Sequence, residues 1–566
     1  MSKGSPPLPA LEPDTETYWR ACREGRLCIN RCQACGWFIF PPRPVCSRCR
    51  SREVKAEEVS GRARVVGYTV NHQRWIPEMK VPFIIGVVEL IEQKNLRLTT
   101  NVINCAPGAV RVGMPVRVVF HNVSEEVALP FFEPDPGSEG ARGEGLSAAP
   151  RSAPVKITDS DYVAAHPVRR VTEVERLERR VIISGVGQSV IGRRLFRSDV
   201  DLTAEAALKA IADAGLTPDE IDGVAAYPGG GINAYPGFAG PGAVEMIDAL
   251  GLSVNWHLGA HEGPGQAMAF FAACLAIAAG LCKHALVYRT VSEGSAQTRG
   301  WGGRQGIEAQ AREVRGANAF LIPFGAMSAA NWLAVNAVRH MHEYGTRREH
   351  LGAIAINGRR HAALNPDGLL REPLAMDEYL NARMVTWPLG LYDCDLPCDG
   401  STALILSTSE AAGDRPKPPV RLNAIGTAIR SRPSWDQWED LTTFAARDAA
   451  AHMWSRTDLK PQDVKVAQLY DGFSFLALAW LEAMGFCKKG EGGPFVEGGR
   501  IGLGGELPLN TWGGQLSSGR LHGFGHIAEA VRQLRGDGGA RQVPNCDVAA
   551  VGVGGGMVSG AMLLTR

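Results

Sequence analysis

Four of the thirteen cysteines stand in two C-x-x-C pairs, Cys32-Gln-Ala-Cys35 and Cys46-Ser-Arg-Cys49, joined by a loop that carries Trp37, Phe38, Phe40 and three prolines. Two short knuckles at this spacing can set four thiolates tetrahedrally around Zn²⁺ at about 2.3 Å, and in so small a module the metal substitutes for a core. A redox-active C-x-x-C calls for one pair at a helix start beside a βαβ unit, whereas two pairs stand here. The expectation is a structural zinc ribbon with Cys32, Cys35, Cys46 and Cys49 as ligands, because four thiolates leave no position open for water or substrate. The other cysteines are scattered, unlike a secreted disulfide framework.

The run Gly552-Val-Gly-Gly-Gly-Met near the C-terminus is the other motif that suggests chemistry by itself. Only about ten residues follow it, too few for the crossover helix and second strand of a dinucleotide fold. Neither NAD nor flavin is expected. A formal charge of +1 supplies no field for nucleic acid or an anionic membrane. No run is long and apolar enough to span a bilayer, and no leader pattern opens the chain, so membrane insertion is not expected and a cytoplasmic location is.

At 566 residues the chain exceeds what one core usually organises. An N-terminal helix around Tyr18-Trp19 and the ribbon occupy 1–60. Alternating runs at Ala63–Val70, Phe83–Leu90, Leu96–Val102 and Val116–Phe120 predict a small antiparallel, OB-like barrel over 61–134. Ribbon-plus-barrel modules often bind single-stranded nucleic acid, but acidic residues match basic ones along these strands and no aromatic-basic ladder follows them. Residues 135–179 have the composition of a linker.

The rest, 180–566, contains an internal repeat. Val181-Ile-Ile-Ser-Gly-Val-Gly predicts a buried strand, Leu202 to Ala214 a helix, and Leu216 to Tyr227 a turn and strand. The order returns in Val420-Arg-Leu-Asn-Ala-Ile-Gly, Phe444 to Trp454, and Leu459 to Tyr470. Two βαβ-rich halves, about 180–415 and 416–566, imply mainly parallel sheets covered on both faces, an α/β fold layered α/β/α/β/α.

The repeat and its glycine signatures resemble the thiolase superfamily, above all the lipid-transfer or sterol-carrier type. The markers are Ala329-Ala-Asn-Trp-Leu-Ala, Tyr344-Gly-Thr-Arg-Arg-Glu-His-Leu, Asp399-Gly-Ser-Thr-Ala-Leu, Tyr470-Asp-Gly-Phe-Ser, Gly513-Gly-Gln-Leu-Ser-Ser-Gly and Gly554-Gly-Gly-Met. Residues 15–134 resemble the zinc-ribbon/OB-fold proteins that accompany thiolase-type acyl-CoA enzymes. The family's chemistry is nonetheless missing. Its nucleophilic cysteine has no counterpart in Gly259-Ala-His-Glu-Gly-Pro-Gly-Gln-Ala-Met, Gly552-Val553 replaces its second cysteine, Arg520 its histidine and Tyr470-Asp471 its Asn-Glu pair. Cys274 and Cys282 are expected to be inert buried thiols.

These replacements resemble the thiolase-fold aldolases that shorten steroid side chains. The resemblance implies retro-aldol cleavage of a bulky β-hydroxyacyl-CoA to a ketone and propionyl-CoA or acetyl-CoA. That reaction needs a base for the β-hydroxyl proton, donors for the thioester enolate and an acid for its α-carbon, and no covalent nucleophile. Tyr470 is the leading acid/base and His522 the second. Arg520 is expected to stabilise the enolate or lower the phenol's pKa, and Asp471 to orient one of these groups or cap a helix. His261 and Glu262 are further substrate-binding candidates, His526 a lower-ranked one, and Gly554 and Gly555 are expected to offer backbone amides to the thioester oxygen. A packing role suffices for Tyr392-Asp393. The partners implied are the acyl-CoA and a second copy, through the thiolase halves. A carbon-carbon acyltransferase with another nucleophile, and a non-catalytic acyl-CoA or lipid-binding protein, are the alternatives.

Overall fold

The computed structural model describes residues 7–75, 79–135, 137, 176–229, 237–260, 265–298, 313–429, 434–438, 440–555 and 557–566. Most of the expected linker lies outside them, as do His261 and Glu262.

In the ribbon, strand Cys28–Cys32 pairs antiparallel with Phe38–Ile39 and Val54–Glu58. The two knuckles converge: Sγ of Cys32 and Cys49 are 3.5 Å apart, those of Cys35 and Cys46 3.7 Å, and all four lie within 4.8 Å of one another. A thiolate tetrahedron with 2.3 Å bonds has edges of about 3.8 Å, so the four sulfurs fit a zinc ion. Helix Glu16–Arg23 buries Tyr18 and Trp19 between ribbon and body, with Trp19 stacked on Phe320 at 5.2 Å and Tyr18 against Phe40 at 5.4 Å.

The predicted barrel strands form as Arg62–Asn71, Phe83–Leu90, Arg97–Asn101 and Pro115–Asn122, followed by Ala128–Pro134. The sheet does not end on its own module. Met384–Thr386 and Leu389–Gly390, from the thiolase-like segment, extend it through the pair Thr386↔Asn71. The hydroxyls of Thr69 and Thr386 meet at 2.6 Å, and the Asn331 amide donates to Asn71 Oδ1 (3.0 Å) and Thr386 Oγ1 (3.2 Å). Helix Ala329–Tyr344 lies directly on strand Arg62–Asn71, an approach that requires glycine at 67, since a Cβ there would stand 2.6 Å from Val335 Cγ1. Barrel and body are thus joined by buried polar contacts, and ribbon and body by aromatic packing.

The repeat holds residue by residue along the first strand of each copy. Strands Val181–Gln188 and Val420–Ile429 each carry a bulge at the same place, Ile183/Gly185 and Leu422/Ala424. Their glycines at 187 and 426 let a helix lie close, because a Cβ would be 2.2 Å from Ala206 O in the first copy and 2.1 Å from Ala449 O in the second. The strands merge into one nine-stranded mixed sheet, its halves joined by Ile182↔Arg421 and Ile183↔Val420.

Alternation along each strand sorts side chains into layers. Leu286, Tyr288, Ala403 and Ile405 face helix Asp199–Asp213, while Ala285, Val287, Leu404 and Leu406 face helices Met268–Ala278 and Phe524–Arg535. In the second half Val551, Met562 and Leu564 meet that same central pair, and Ala550, Ala561 and Leu563 meet helix Ala445–Trp454. The result is the expected α/β/α/β/α stack, but the sheets are not mainly parallel as expected: five of the eight neighbouring pairs are antiparallel, because Asp399–Thr408 and Val558–Thr565 return antiparallel to the strands on both their sides.

Candidate active site

Strand Val466–Leu469 runs into Tyr470 at its C-terminal end, and Gly472 follows because a Cβ there would be 2.7 Å from the Tyr470 ring. The phenol lies at one end of a cavity of about 640 Å³, within the range of small-molecule sites. Glu293, Asp395, Arg520, His522 and Gln266 line the same end. Trp332, Trp435, Met327 and Leu476 add apolar lining, and Gln73, Arg74 and Trp75, just past barrel strand Arg62–Asn71, line it as well. Both modules therefore build the cavity. Among the described residues no cysteine lines it. Cys274 and Cys282 are buried, and burial raises both thiols, Cys282 to about 12.

Of the residues expected from sequence, Tyr470, Arg520, His522 and Gly555 line the cavity together. Burial, reinforced by the Asp395 carboxylate, pushes the Tyr470 phenol well above its ordinary value; Arg520 pulls the other way and does not prevail. Tyr470 is thus a protonated donor at neutral pH, with Gln266 Nε2 3.4 Å from its oxygen. The lowering of this phenol expected from Arg520 is present as a tendency and is outweighed.

Arg520 is held from both sides: Nε donates to Glu293 Oε2 at 2.7 Å and Nη1 to Asp395 Oδ1 at 3.1 Å. Burial opposes its charge, but the two carboxylates overcome that and keep the guanidinium firmly charged. Burial likewise raises Asp395, Arg520 draws it down, and Glu293 with Asp471 push it up again, leaving it at about 7.

His522 adopts φ +46°, a left-handed backbone uncommon outside glycine, at the turn into helix Phe524–Arg535. Its Nδ1 accepts from Arg289 Nη2 at 2.7 Å, so the ring proton sits on Nε2. Burial, with Arg289 and Arg520 nearby, holds the imidazole far below its ordinary pKa, and the ring remains neutral with an N–H to donate. Arg289 is itself fully buried, lying 4.7 Å from the Phe238 ring centre and 5.3 Å from that of Tyr227; burial brings it to about 10, so it stays charged at neutral pH.

Asp471 stands behind the cavity. Its Oδ1 accepts from the Gln515 backbone N–H (2.9 Å) in helix Gly514–Ser518 and from His526 Nε2 (3.0 Å), so it both caps a helix and orients a ring. His526 in turn stacks on Tyr470, centroids 6.1 Å apart. Gly514 makes this approach possible: its φ is +63°, and a Cβ would stand 1.9 Å from Asp471 Oδ2. Gly554 turns the chain at φ +120° and its carbonyl accepts from Trp480 Nε1 at 3.3 Å. Asp393 accepts from Tyr379 Oη (2.6 Å) and Ser474 Oγ (2.5 Å), a packing role as expected.

Glu293, Asp395, Arg289 and Gln266 were not found from the sequence. Only Asp395 carried a signal, its place in the acidic run Tyr392-Asp-Cys-Asp395 before the Asp399-Gly turn.

Residues 19–55 match the rubredoxin-like zinc ribbon domain of ChsH2, 56–121 its C-terminal OB-fold domain, and 427–565 the Thiolase C-terminal domain-like family. The steroid side-chain-cleaving aldolase of Thermomonospora curvata is 34% identical over 62% of this chain and 90% of its own length. The 17-hydroxy-3-oxo-4-pregnene-20-carboxyl-CoA lyase of Mycobacterium tuberculosis is 33% identical over 64% of this chain and 92% of its own. Among solved structures, the Ltp2-ChsH2(DUF35) aldolase superposes with a TM-score of 0.61 at 30% identity, covering 69% of this chain and 99% of that one. The chain belongs to the thiolase superfamily, with the side-chain-cleaving aldolases as relatives and a ChsH2-type zinc ribbon and OB-fold on the same polypeptide.

Proposed function

We propose that this chain is a retro-aldolase that cleaves a bulky β-hydroxyacyl-CoA, of the steroid side-chain class, to a ketone and a shortened acyl-CoA such as propionyl-CoA. The observation that carries the reading is a cavity with no cysteine among its described lining, yet with a protonated phenol, a neutral imidazole donor and a clamped guanidinium at one end. Acyl transfer through a thioester needs a nucleophile, whereas retro-aldol cleavage needs donors for a developing enolate and a proton source. The Nε2–H of His522, with backbone amides near Gly555, holds the enolate oxygen, and Tyr470 delivers a proton to the α-carbon. Trp332, Trp435 and Trp75 take the flat, apolar acyl group. The two curated relatives, one named a steroid side-chain-cleaving aldolase and the other a lyase of a 17-hydroxy-pregnene-carboxyl-CoA, support the same substrate class.

Zinc in the four-cysteine ribbon is structural in this reading, with Cys32, Cys35, Cys46 and Cys49 saturating it. The chain works in the cytosol as a homodimer assembled through its thiolase-like halves, which light scattering on the purified protein tests.

The test of the reaction is mass-spectrometric product analysis after incubation with a steroid β-hydroxyacyl-CoA. Ketone plus propionyl-CoA, strongly reduced in Tyr470→Phe, is the expected result. Unchanged substrate rejects the substrate class, and an acylated protein favours the acyltransferase.

A further inference from the structure

The donors assigned above leave the first proton transfer without an acceptor. Tyr470 holds its own proton, and His522 has its one basic nitrogen engaged by Arg289. Resting on the retro-aldol reading, we infer that the Asp395 carboxylate is the general base that takes the β-hydroxyl proton, and that Arg520 and Glu293 position it.

Asp395 lines the cavity with Tyr470, and its loop is pinned to the strand end that carries this tyrosine: Asp395 N donates to Gly472 O at 3.1 Å, and Cys394 bridges to Phe473. The carboxyl is 7% exposed, so its access to bulk water is small.

One cation, Arg520, faces two carboxylates, and the arrangement is unequal: Glu293 holds Nε at 2.7 Å, whereas Asp395 meets Nη1 at 3.1 Å. One guanidinium cannot neutralise two carboxylates, so a net negative charge is left on the three groups, and Asp395, which Asp471 also faces, is a carboxyl that can exchange a proton. The other groups facing it are Asp471, committed to His526 and the Gln515 amide, the raised phenol of Tyr470, and the raised thiols of Cys394 and Cys398. The resulting value of about 7 for Asp395 suits a base at neutral pH.

The step balances without a co-reactant. The carboxylate takes the hydroxyl proton, the Cβ–O bond becomes a carbonyl, and the Cα–Cβ pair moves into the thioester enolate. Tyr470 gives its proton to Cα and regains one from Asp395.

The test is the pH profile of kcat/KM for the whole chain with a steroid β-hydroxyacyl-CoA, in wild type, Asp395→Asn and Glu293→Gln, with the Kd of the 3-deoxy acyl-CoA as a binding control. Wild type is expected to rise with pH through about 7 to a plateau. Asp395→Asn is expected to lose about 10²- to 10⁴-fold in rate and to lose that limb while binding the analogue within about threefold. Glu293→Gln keeps a limb at a shifted position. A limb that survives in Asp395→Asn, or a rate within about threefold of wild type, overturns the inference. Should Asp395→Asn not fold, a wild-type profile flat from about pH 5.5 to 8.5 overturns it and a limb near neutrality sustains it. Wild type that leaves the substrate uncleaved overturns the retro-aldol reading and the inference with it, whereas an active wild type with an indifferent Asp395 overturns the inference alone.

Discussion

His522→Asn removes one N–H from the proposed enolate site while disturbing little else. Asparagine tolerates the left-handed backbone that His522 adopts at φ +46°, and its Oδ1 can replace Nδ1 as the acceptor for Arg289, now 2.7 Å away. The Nε2–H has no counterpart in the variant. Loss of one preorganised oxyanion donor costs about 10²- to 10³-fold in kcat, or about 3 to 4 kcal/mol of transition-state stabilisation. Folding should change by no more than about 2 kcal/mol, since the edge-to-face contact with Phe238 at 4.9 Å is the main packing lost. The assay is steady-state release of the shortened acyl-CoA, with thermal unfolding alongside. The expected outcome is a large fall in kcat and a small change in KM. A kcat within about threefold of wild type, or an effect confined to KM, would refute the reasoning, because the ring would then be contributing only to ground-state binding.

One zinc per chain should be found by elemental analysis, and Cys46→Ser should lose it together with thermal stability, because Phe40 of the same ribbon packs against Tyr18 and Phe320. Gly514→Ala should fail to fold or lose more than about 2 kcal/mol, given φ +63° and a Cβ 1.9 Å from Asp471 Oδ2; denaturant titration reads it. Trp75→Ala should raise KM about tenfold for a bulky acyl-CoA with kcat nearly unchanged, since this residue just past the barrel strand lines the cavity while its Nε1 is held by Asn71 and by none of the reacting groups. Glu482 is depressed to about 2: burial opposes its charge, but His340, Lys489 and backbone donors prevail. Its stabilisation is therefore present above the ordinary carboxyl range and is lost as pH falls towards about 2, so Glu482→Gln should flatten the acid dependence of stability measured by urea unfolding.

Much of this architecture is readable from local pattern. The C-x-x-C pairs, the period-2 barrel strands and the two copies of strand, helix, Thr/Lys-Pro turn and strand are each set by neighbours within a few residues. Tyr470, Arg520 and His522 were legible because glycine-rich turns mark where the superfamily keeps its reacting groups. Glu293, Asp395 and Arg289 were not, because their roles arise from pairing across more than a hundred residues: Arg520 with Glu293, His522 with Arg289. The barrel's two added strands span three and two residues, too short for any periodicity, and only the contacts of Thr386 with Asn71 and Thr69, and the pairing of Leu389–Gly390 with Met384–Thr386, declare them. The raised phenol of Tyr470 was likewise invisible, since the sign of its shift depends on burial and on which charge, Asp395 or Arg520, acts more strongly.

The central claim is carbon-carbon cleavage through an enolate and without an acyl-enzyme. The most direct test is a reaction run in D₂O with a steroid β-hydroxyacyl-CoA, reading the mass of the released acyl-CoA and of the intact protein together. One deuterium at the α-carbon of the shortened acyl-CoA, a ketone co-product and an unchanged protein mass are the predicted result. A protein that gains the mass of an acyl group, or an acyl-CoA that leaves without deuterium, would contradict it.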